Sequence, residues 1–260
     1  MSVRLISYSQ PTDELLDENI TSAQDLIVFC ARVSNPSNQY NTETSDKLIR
    51  YLIKHAHWSP LELVSACMEV ETTRDIARQI LRHRSFSFQE FSQRYADPTK
   101  DLNFVIRDAR FQDTKNRQNS ILLDINNPEH RELSRIWEEK QRNVIAAAKD
   151  AYTWATSNGI AKEQARCVLP EGNIESRMYI NGTLRSWIHF MQVRTDPSTQ
   201  KEHREIALAC AHAIAKIFPM ADDFVYKEPV KLTPPSPEIK LDTGVKFPSF
   251  KSIINLFGRL

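Results

Sequence analysis

The hydrophobic period of this chain switches between helical and strand-like without settling into a regular strand–helix–strand rhythm, and that irregularity limits the architectures open to it. Leu26, Ile27 and Cys30 share one face across residues 21 to 34, where Thr21 with Gln24 three residues on predicts the helix cap. Leu48, Tyr51 and Leu52 repeat the pattern in a helix from about Ser45 to His55. After Pro60 the period falls to two: Val64, Ala66, Met68 and Val70 alternate with Ser65, Glu69 and Glu71, as in a strand buried on one side. Thr72 or Thr73 then caps a helix that buries Ile76, Ala77, Ile80 and Leu81 and carries Arg74, Arg78 and Arg82 at every fourth position.

Downstream, Leu102, Phe104 and Ile106 predict a strand, Asp108 to Asn119 a polar loop, and Asn127-Pro128 a long helix ending near Asn158-Gly159. A short helix from Lys162 to Leu169 stops at Pro170, and Ile174, Ser176, Met178 and Ile180 alternate as a strand. Thr183 caps a helix to about Val193. The last helix opens at Ser198 or Thr199, with Glu202 completing a capping box, and turns Ile206, Ala209, Cys210, Ala213 and Ile217 inward. Six of the 13 prolines lie at or beyond Pro219, so residues 1–225 read as one domain and 226–260 as an extended tail. Within that tail SFKSIINLFGRL suits a small docking helix. The expected class is α+β: a mixed or antiparallel sheet with a large helical part, in a single domain plus an extended C-terminal tail.

The formal charge is +1, from 34 Lys and Arg against 33 Asp and Glu, so no global field would hold the chain on a nucleic acid polymer or an anionic membrane. Any anion site is local. The first residues lack an apolar signal core, and no stretch approaches the roughly 20 apolar residues that span a bilayer, so a cytoplasmic protein is expected. Cys30, Cys67, Cys167 and Cys210 are far apart, without C-x-x-C spacing, and are expected as reduced thiols packed mainly on apolar faces. No metal is expected either, since His55 and His57 form H-x-H without a third ligand.

Only five glycines occur, at 159, 172, 182, 244 and 258, which excludes a G-x-G-x-x-G turn or a P-loop. If phosphates bind, arginines must hold them. The segment Arg82 to Arg94, RHRSFSFQEFSQR, gathers guanidinium forks and hydroxyls suited to a phosphate ester. A second reading has Arg82, His83 and Arg84 complement the carbonyl end of the preceding helix, an effect of roughly 0.3–1 kcal/mol. Interleaved Phe86, Phe88 and Phe91 would seat the segment in the core.

R-H-R-x-x-S-x-Q-x-x-S-x-R resembles the signature of flavin-dependent thymidylate synthases, with Gln89 where that family typically has Asn. The similarity continues through CARVSNP (30–36), HAHWSPLE (55–62), ARCVLP (165–170) and GTLRSWIHFMQVRTD (182–196). The resemblance implies an α+β fold, a homotetramer whose active sites lie where subunits meet, and synthesis of dTMP from dUMP. FAD is the implied cofactor, with NADPH and methylenetetrahydrofolate as co-substrates, and no enzyme cysteine attacks the pyrimidine. The hard redox chemistry then belongs to the flavin.

By the same resemblance FAD falls to His57, Ser59, Glu62, Arg82, His83, Arg84, Glu90, Thr183, Arg185 and His189. The nucleotide falls to Gln79, Arg82, Glu90, Ser92, Gln93, Arg94, Arg166 and Arg194, and Arg194 is the expected catalytic residue, stabilising the ionised uracil. His189 stands where some relatives carry Asn. Two rival readings are a nucleotide- or RNA-binding module built on RHR and the phenylalanines, and a scaffold that keeps the fold without turnover. The neutral charge argues against the first and the four intact arginines, Arg82, Arg94, Arg166 and Arg194, against the second.

Overall fold

A computed structural model describes residues 1–227. In chain order the elements are β1 (Ser2–Tyr8), α1 (Asp13–Asp17), α2 (Ala23–Ala31), α3 (Ser45–Lys54), β2 (Ser65–Thr73), α4 (Arg74–Ile80), β3 (Ser87–Glu90) and α5 (Pro98–Asp101). They continue with β4 (Arg110–Gln112), β5 (Ser120–Leu122), α6 (Pro128–Ser157), α7 (Lys162–Ala165), β6 (Glu175–Thr183), α8 (Leu184–Arg194) and α9 (Lys201–Ala215). The expected tail and its SFKSIINLFGRL segment lie outside the described residues, apart from the first positions.

The main sheet has the order β1-β2-β6-β3, and every neighbouring pair is antiparallel. Alternation decides its faces. Ala66, Met68 and Val70 of β2 and Met178, Ile180 and Gly182 of β6 turn into the core, while Arg177, Tyr179 and Asn181 face out. Helices α2, α3, α4, α8 and α9 cover the inner face, contributing Ile27, Ile49, Ile76, Ile80, Trp187, Phe190, Ile206 and Ile214 to one apolar cluster. A smaller cluster joins Tyr152 and Ala155 of α6 to Ala165, Leu169 and Ile174. The α+β class and the antiparallel sheet match the sequence pattern.

Local chemistry moves several predicted boundaries. The cap of α2 is Ser22 rather than Thr21: its hydroxyl accepts from the Asp25 amide and the Asp25 carboxylate accepts from the Ser22 amide, closing a reciprocal box. In α3 the buried stripe is Ser45, Ile49 and Leu52, and Tyr51 lies off it, exposed with its ring against that of exposed His55. Leu102 to Ile106 forms only an isolated bridge, Phe104 to Ile174, because it meets β6 where that strand is just beginning. Inside the expected loop 108–119 the chain starts a hairpin: β4 pairs with β5, and the turn between them is held by Asp113, which accepts from the Lys115 and Asn116 amides. Helix α9 starts at Lys201, and Glu202 makes no capping box because its carboxylate is drawn sideways to two arginines.

Cys210 is buried and Cys30 and Cys67 are half-buried, but Cys167 is exposed in the turn after α7, against the expected apolar setting. No described helix is long and apolar enough to cross a membrane.

Candidate active site

Two strands run straight into helices, and this junction geometry builds the site. Thr73 ends β2 and precedes α4, and Thr183 ends β6 and caps α8 by accepting from the Ser186 amide. Because β2 and β6 are antiparallel, with Thr73 opposite Glu175 and Ser65 opposite Thr183, the two helices start at opposite ends of the strand pair. The nine-residue strands span about 30 Å, and helices of seven and eleven residues together span about 27 Å at 1.5 Å per residue. Their C-terminal ends therefore meet. The meeting point is a hydrogen bond of 2.7 Å from Arg194 Nε to His83 Nε2.

That bond fixes chemistry. A guanidinium nitrogen only donates, so His83 accepts at Nε2 and is the neutral, Nδ1-protonated tautomer. Burial first, then the charges of Arg194 and His189, pull its pKa down to about 4. Burial and the Arg82 charge likewise lower Arg194 from the ordinary guanidinium value. Arg194 thus brings a positive charge into a half-buried corner beside Arg82 and neutral His83, whose ring in turn meets those of Phe190 and His189. Among the described residues its terminal nitrogens make no hydrogen bond or ion pair.

The RHR turn is seated by Phe86, whose ring packs on Trp187 at 4.6 Å and on Phe190 at 5.9 Å. This is possible because residue 182 is glycine: a Cβ there would come within 2.2 Å of the Phe86 ring. Arg82 and Arg84 remain exposed, and neither has an acidic partner among the described residues.

Other expected residues fall into separate groups. Glu62 accepts from Thr183 Oγ1 at 2.7 Å and pairs with Arg185 at 2.6 Å. The Thr183 bond foremost, with the Arg185 bond and charge, outweighs burial and holds its carboxyl below the ordinary range. Exposed His57 and Ser59 lie just before it. A cavity of about 230 Å³ between Trp58, Ser85, Arg185, Ser186, His189 and Gln192 adjoins this group. Arg94 and Arg166 converge on Glu163, Arg94 pairing with its carboxylate at 3.3 Å and Arg166 Nε donating to its carbonyl at 3.3 Å. Ser92 begins the turn that carries Arg94. Gln93 is buried, and its amide nitrogen has no partner among the described residues.

Two expected residues are held by partners other than Arg194. Glu90 accepts from Ser176 Oγ at 2.7 Å and faces Arg74 at 3.6 Å. Gln79 donates to Gln200 at 2.8 Å and faces His203 Nδ1 at 3.1 Å. Gln89, the departure from the common signature, is exposed on β3 opposite Tyr179.

Residues 14–220 match the family described as thymidylate synthase complementing protein. The chain belongs to that family. It is 44% identical over 219 residues to a probable flavin-dependent thymidylate synthase of Paramecium bursaria Chlorella virus 1, covering 84% of this chain and 96% of the relative. It is 46% identical over 220 residues to the flavin-dependent thymidylate synthase of Synechocystis, with the same shares, and 34% identical over 197 residues to that of Thermus thermophilus, covering 75% and 68%. In this member of the thymidylate synthase complementing family, the charged signature is anchored by buried His83, Phe86 and Gln93 while Arg82 and Arg84 stay exposed.

Sequence reasoning missed a largely buried ionic cluster that joins the start of α4 to the start of α9. Arg107 contacts Asp75 at 2.7 Å and Glu202 at 3.2 Å, and Arg110 contacts Glu202 at 2.5 Å. It borders a cavity of about 600 Å³ that also touches Trp137, Gln141 and Gln200. By spacing Glu202 suits a capping box and Arg110 falls in the polar loop, so neither on its own signals this cluster. The usable signal was the pair Arg107 and Arg110, three apart, in a segment whose Phe111 and Ile121 permit a hairpin.

Proposed function

We propose that this chain makes dTMP from dUMP, with methylenetetrahydrofolate as one-carbon donor and FAD and NADPH as the reducing system, in de novo dTTP synthesis. The observation that carries this reading is Arg194: a half-buried guanidinium held by a neutral histidine, with its terminal nitrogens unpaired among the described residues. Such a charge is suited to an anion that develops on a pyrimidine, because a partly desolvated donor that is already oriented needs no reorganisation when charge appears.

The residues fit the nucleotide cofactor. Arg82 and Arg84 offer guanidinium forks without acidic partners, as a pyrophosphate requires, and Trp58, Arg185 and His189 line a cavity beside them. His57, Ser59, Glu62, Arg82, His83, Arg84, Glu90, Thr183, Arg185 and His189 would hold FAD, which supplies hydride-level reducing power when bound. For dUMP, Arg82, Arg94 and Arg166 take the phosphate and sugar, while Gln79, Glu90, Ser92 and Gln93 line the pocket. The orphaned amide of Gln93 favours this, since an unmet buried donor costs about 1–3 kcal/mol that a ligand oxygen would recover.

The active unit is a cytoplasmic homotetramer with sites shared between subunits. Supporting this, no contact joins the Arg94–Arg166 pair to Arg194 among the described residues, and α6 exposes Leu133, Ile136 and Trp137 along its first half.

The absorption spectrum of the purified protein tests the first step: flavin bands are expected, and a colourless protein that never takes up FAD would sink the reading. NADPH-dependent conversion of dUMP to dTMP tests turnover, and light scattering tests the tetramer.

A further inference from the structure

His203 and Glu202 lie outside every role assigned above, yet a line of hydrogen bonds connects them through Gln79. Glu202 is nearly sealed from solvent. Burial raises its carboxyl, but bonds from Arg110, its own amide and Gln200, together with the Arg107 charge, outweigh that and hold it below its ordinary value. An ionised carboxylate only accepts. Gln200 must therefore turn its amide nitrogen to Glu202, at 3.0 Å, which leaves its oxygen to accept from Gln79 Nε2 at 2.8 Å. Gln79 Oε1 is then the acceptor facing His203 Nδ1 at 3.1 Å, so the proton of this imidazole sits on Nδ1. Each direction follows from the one before it, and the charge of Glu202 sets them all.

The far end of the line is also defined. His203 is fully buried beside Phe190, and its Nε2 has no partner among the described residues. Burial, and then the charges of Arg194 and His83, pull its pKa down to about 3. The imidazole stays neutral beside Arg194. Gln79, held at both ends of its amide, keeps one N–H and one lone pair, each in a fixed place.

We propose that Glu202, Gln200 and His203 are positioning residues: the carboxylate, acting through Gln200, fixes the amide direction of Gln79 and the tautomer of His203. This rests on the reading of Gln79 as part of the nucleotide pocket. An amide free to flip presents donor and acceptor in exchanged places half the time; one locked by a buried carboxylate presents a single pattern to the ligand. The lock costs nothing at the moment of binding, because the fold has already ordered it.

Long-range proton–nitrogen spectra of the full-length protein, with His203→Asn used to assign the signals, read the tautomer directly. The expected result is a protonated Nδ1 and a bare Nε2 in the unmodified protein. A mixture of tautomers is expected in Gln200→Met, which cuts the line while leaving Glu202 paired with both arginines. A protonated Nε2 or an imidazolium in the unmodified protein, or an unchanged tautomer in Gln200→Met, overturns the proposal.

Kinetics separate positioning from packing. Asn places an N–H where His203 Nδ1 stands, whereas Leu fills the space without a donor. His203→Asn is expected to retain kcat/KM for dUMP to within a few-fold, and His203→Leu to lose about tenfold, the equivalent of one hydrogen bond. A merely structural role predicts the reverse order, and that order defeats the idea. If the unmodified protein makes no dTMP, the proposed reaction fails, while the spectra still decide the hydrogen-bond line.

Discussion

Two groups of arginines in this protein are built to opposite rules. Arg107 and Arg110 are largely buried and fully paired, with Asp75 and Glu202 at 2.5–3.2 Å. Arg82, Arg84 and Arg194 stand around the RHR turn without a carboxylate among the described residues, and Arg194 is partly desolvated as well. The first arrangement secures the β4–β5 segment to α9, and once paired it has little to offer a ligand. The second leaves Arg82 and Arg84 in solvent and Arg194 half-buried, where burial penalises its charge. Carboxylates hold Arg107 and Arg110 in the fold, whereas Arg82, Arg84 and Arg194 keep their forks open among the described residues.

The sharpest break of this contrast is Glu202→Gln. It leaves two buried guanidiniums short of charge, and breaking a buried pair costs about 3–5 kcal/mol. Urea unfolding is expected to show that loss, and an unchanged midpoint would place Glu202 outside the structural group. At the other pole, Arg194→Ala should leave the unfolding midpoint close to its original value. It should cut dTMP formation on the order of 10²–10³-fold, the scale of an oriented donor facing developing charge. Full activity in that variant would remove its assigned role.

The pH response extends the comparison to the imidazoles. His83 and His203 have folded values near 4 and 3, below the ordinary 6.5, so the unfolded chain binds their protons first. Stability from keeping them neutral is complete above about pH 6.5 and drains away as pH falls toward 4. Between pH 7 and pH 5 each contributes on the order of 2 kcal/mol. Unfolding at those two pH values should therefore differ less in His203→Asn than in the unmodified protein. Gly182→Ala tests the seat beneath the unpaired arginines: overpacking against Phe86 should cost about 1–3 kcal/mol and lower activity with it. The smallest effect is expected at Arg135, whose pairs with Glu132 and Glu139 lie in full solvent on α6; Arg135→Ala should leave the melting temperature unchanged.

Much of this was readable from residue order. The alternation at Ala66, Met68 and Val70, the Asn127-Pro128 start of α6 and the Thr183 cap of α8 are local signals, and the structure carries each of them. The charged signature from Arg82 to Arg94 indicated the family, and residues 14–220 match it. What stayed hidden depends on distant partners. Glu202 three residues after Thr199 has the spacing of a cap, and only the approach of Arg107 and Arg110, more than 90 positions earlier, gives it a different use. Gln79 and His203 are separated by 124 positions, and no local pattern says that they meet.

The hollow at Gly182 carries a consequence for descent. The smallest side chain on β6 and a large ring on the signature turn occupy one volume between them. Neither position is free to vary alone: a lineage that gains a methyl group at 182 must shrink residue 86, or pass through a form whose site is displaced. Among relatives the two positions should therefore change together or not at all, although 96 residues separate them in the chain.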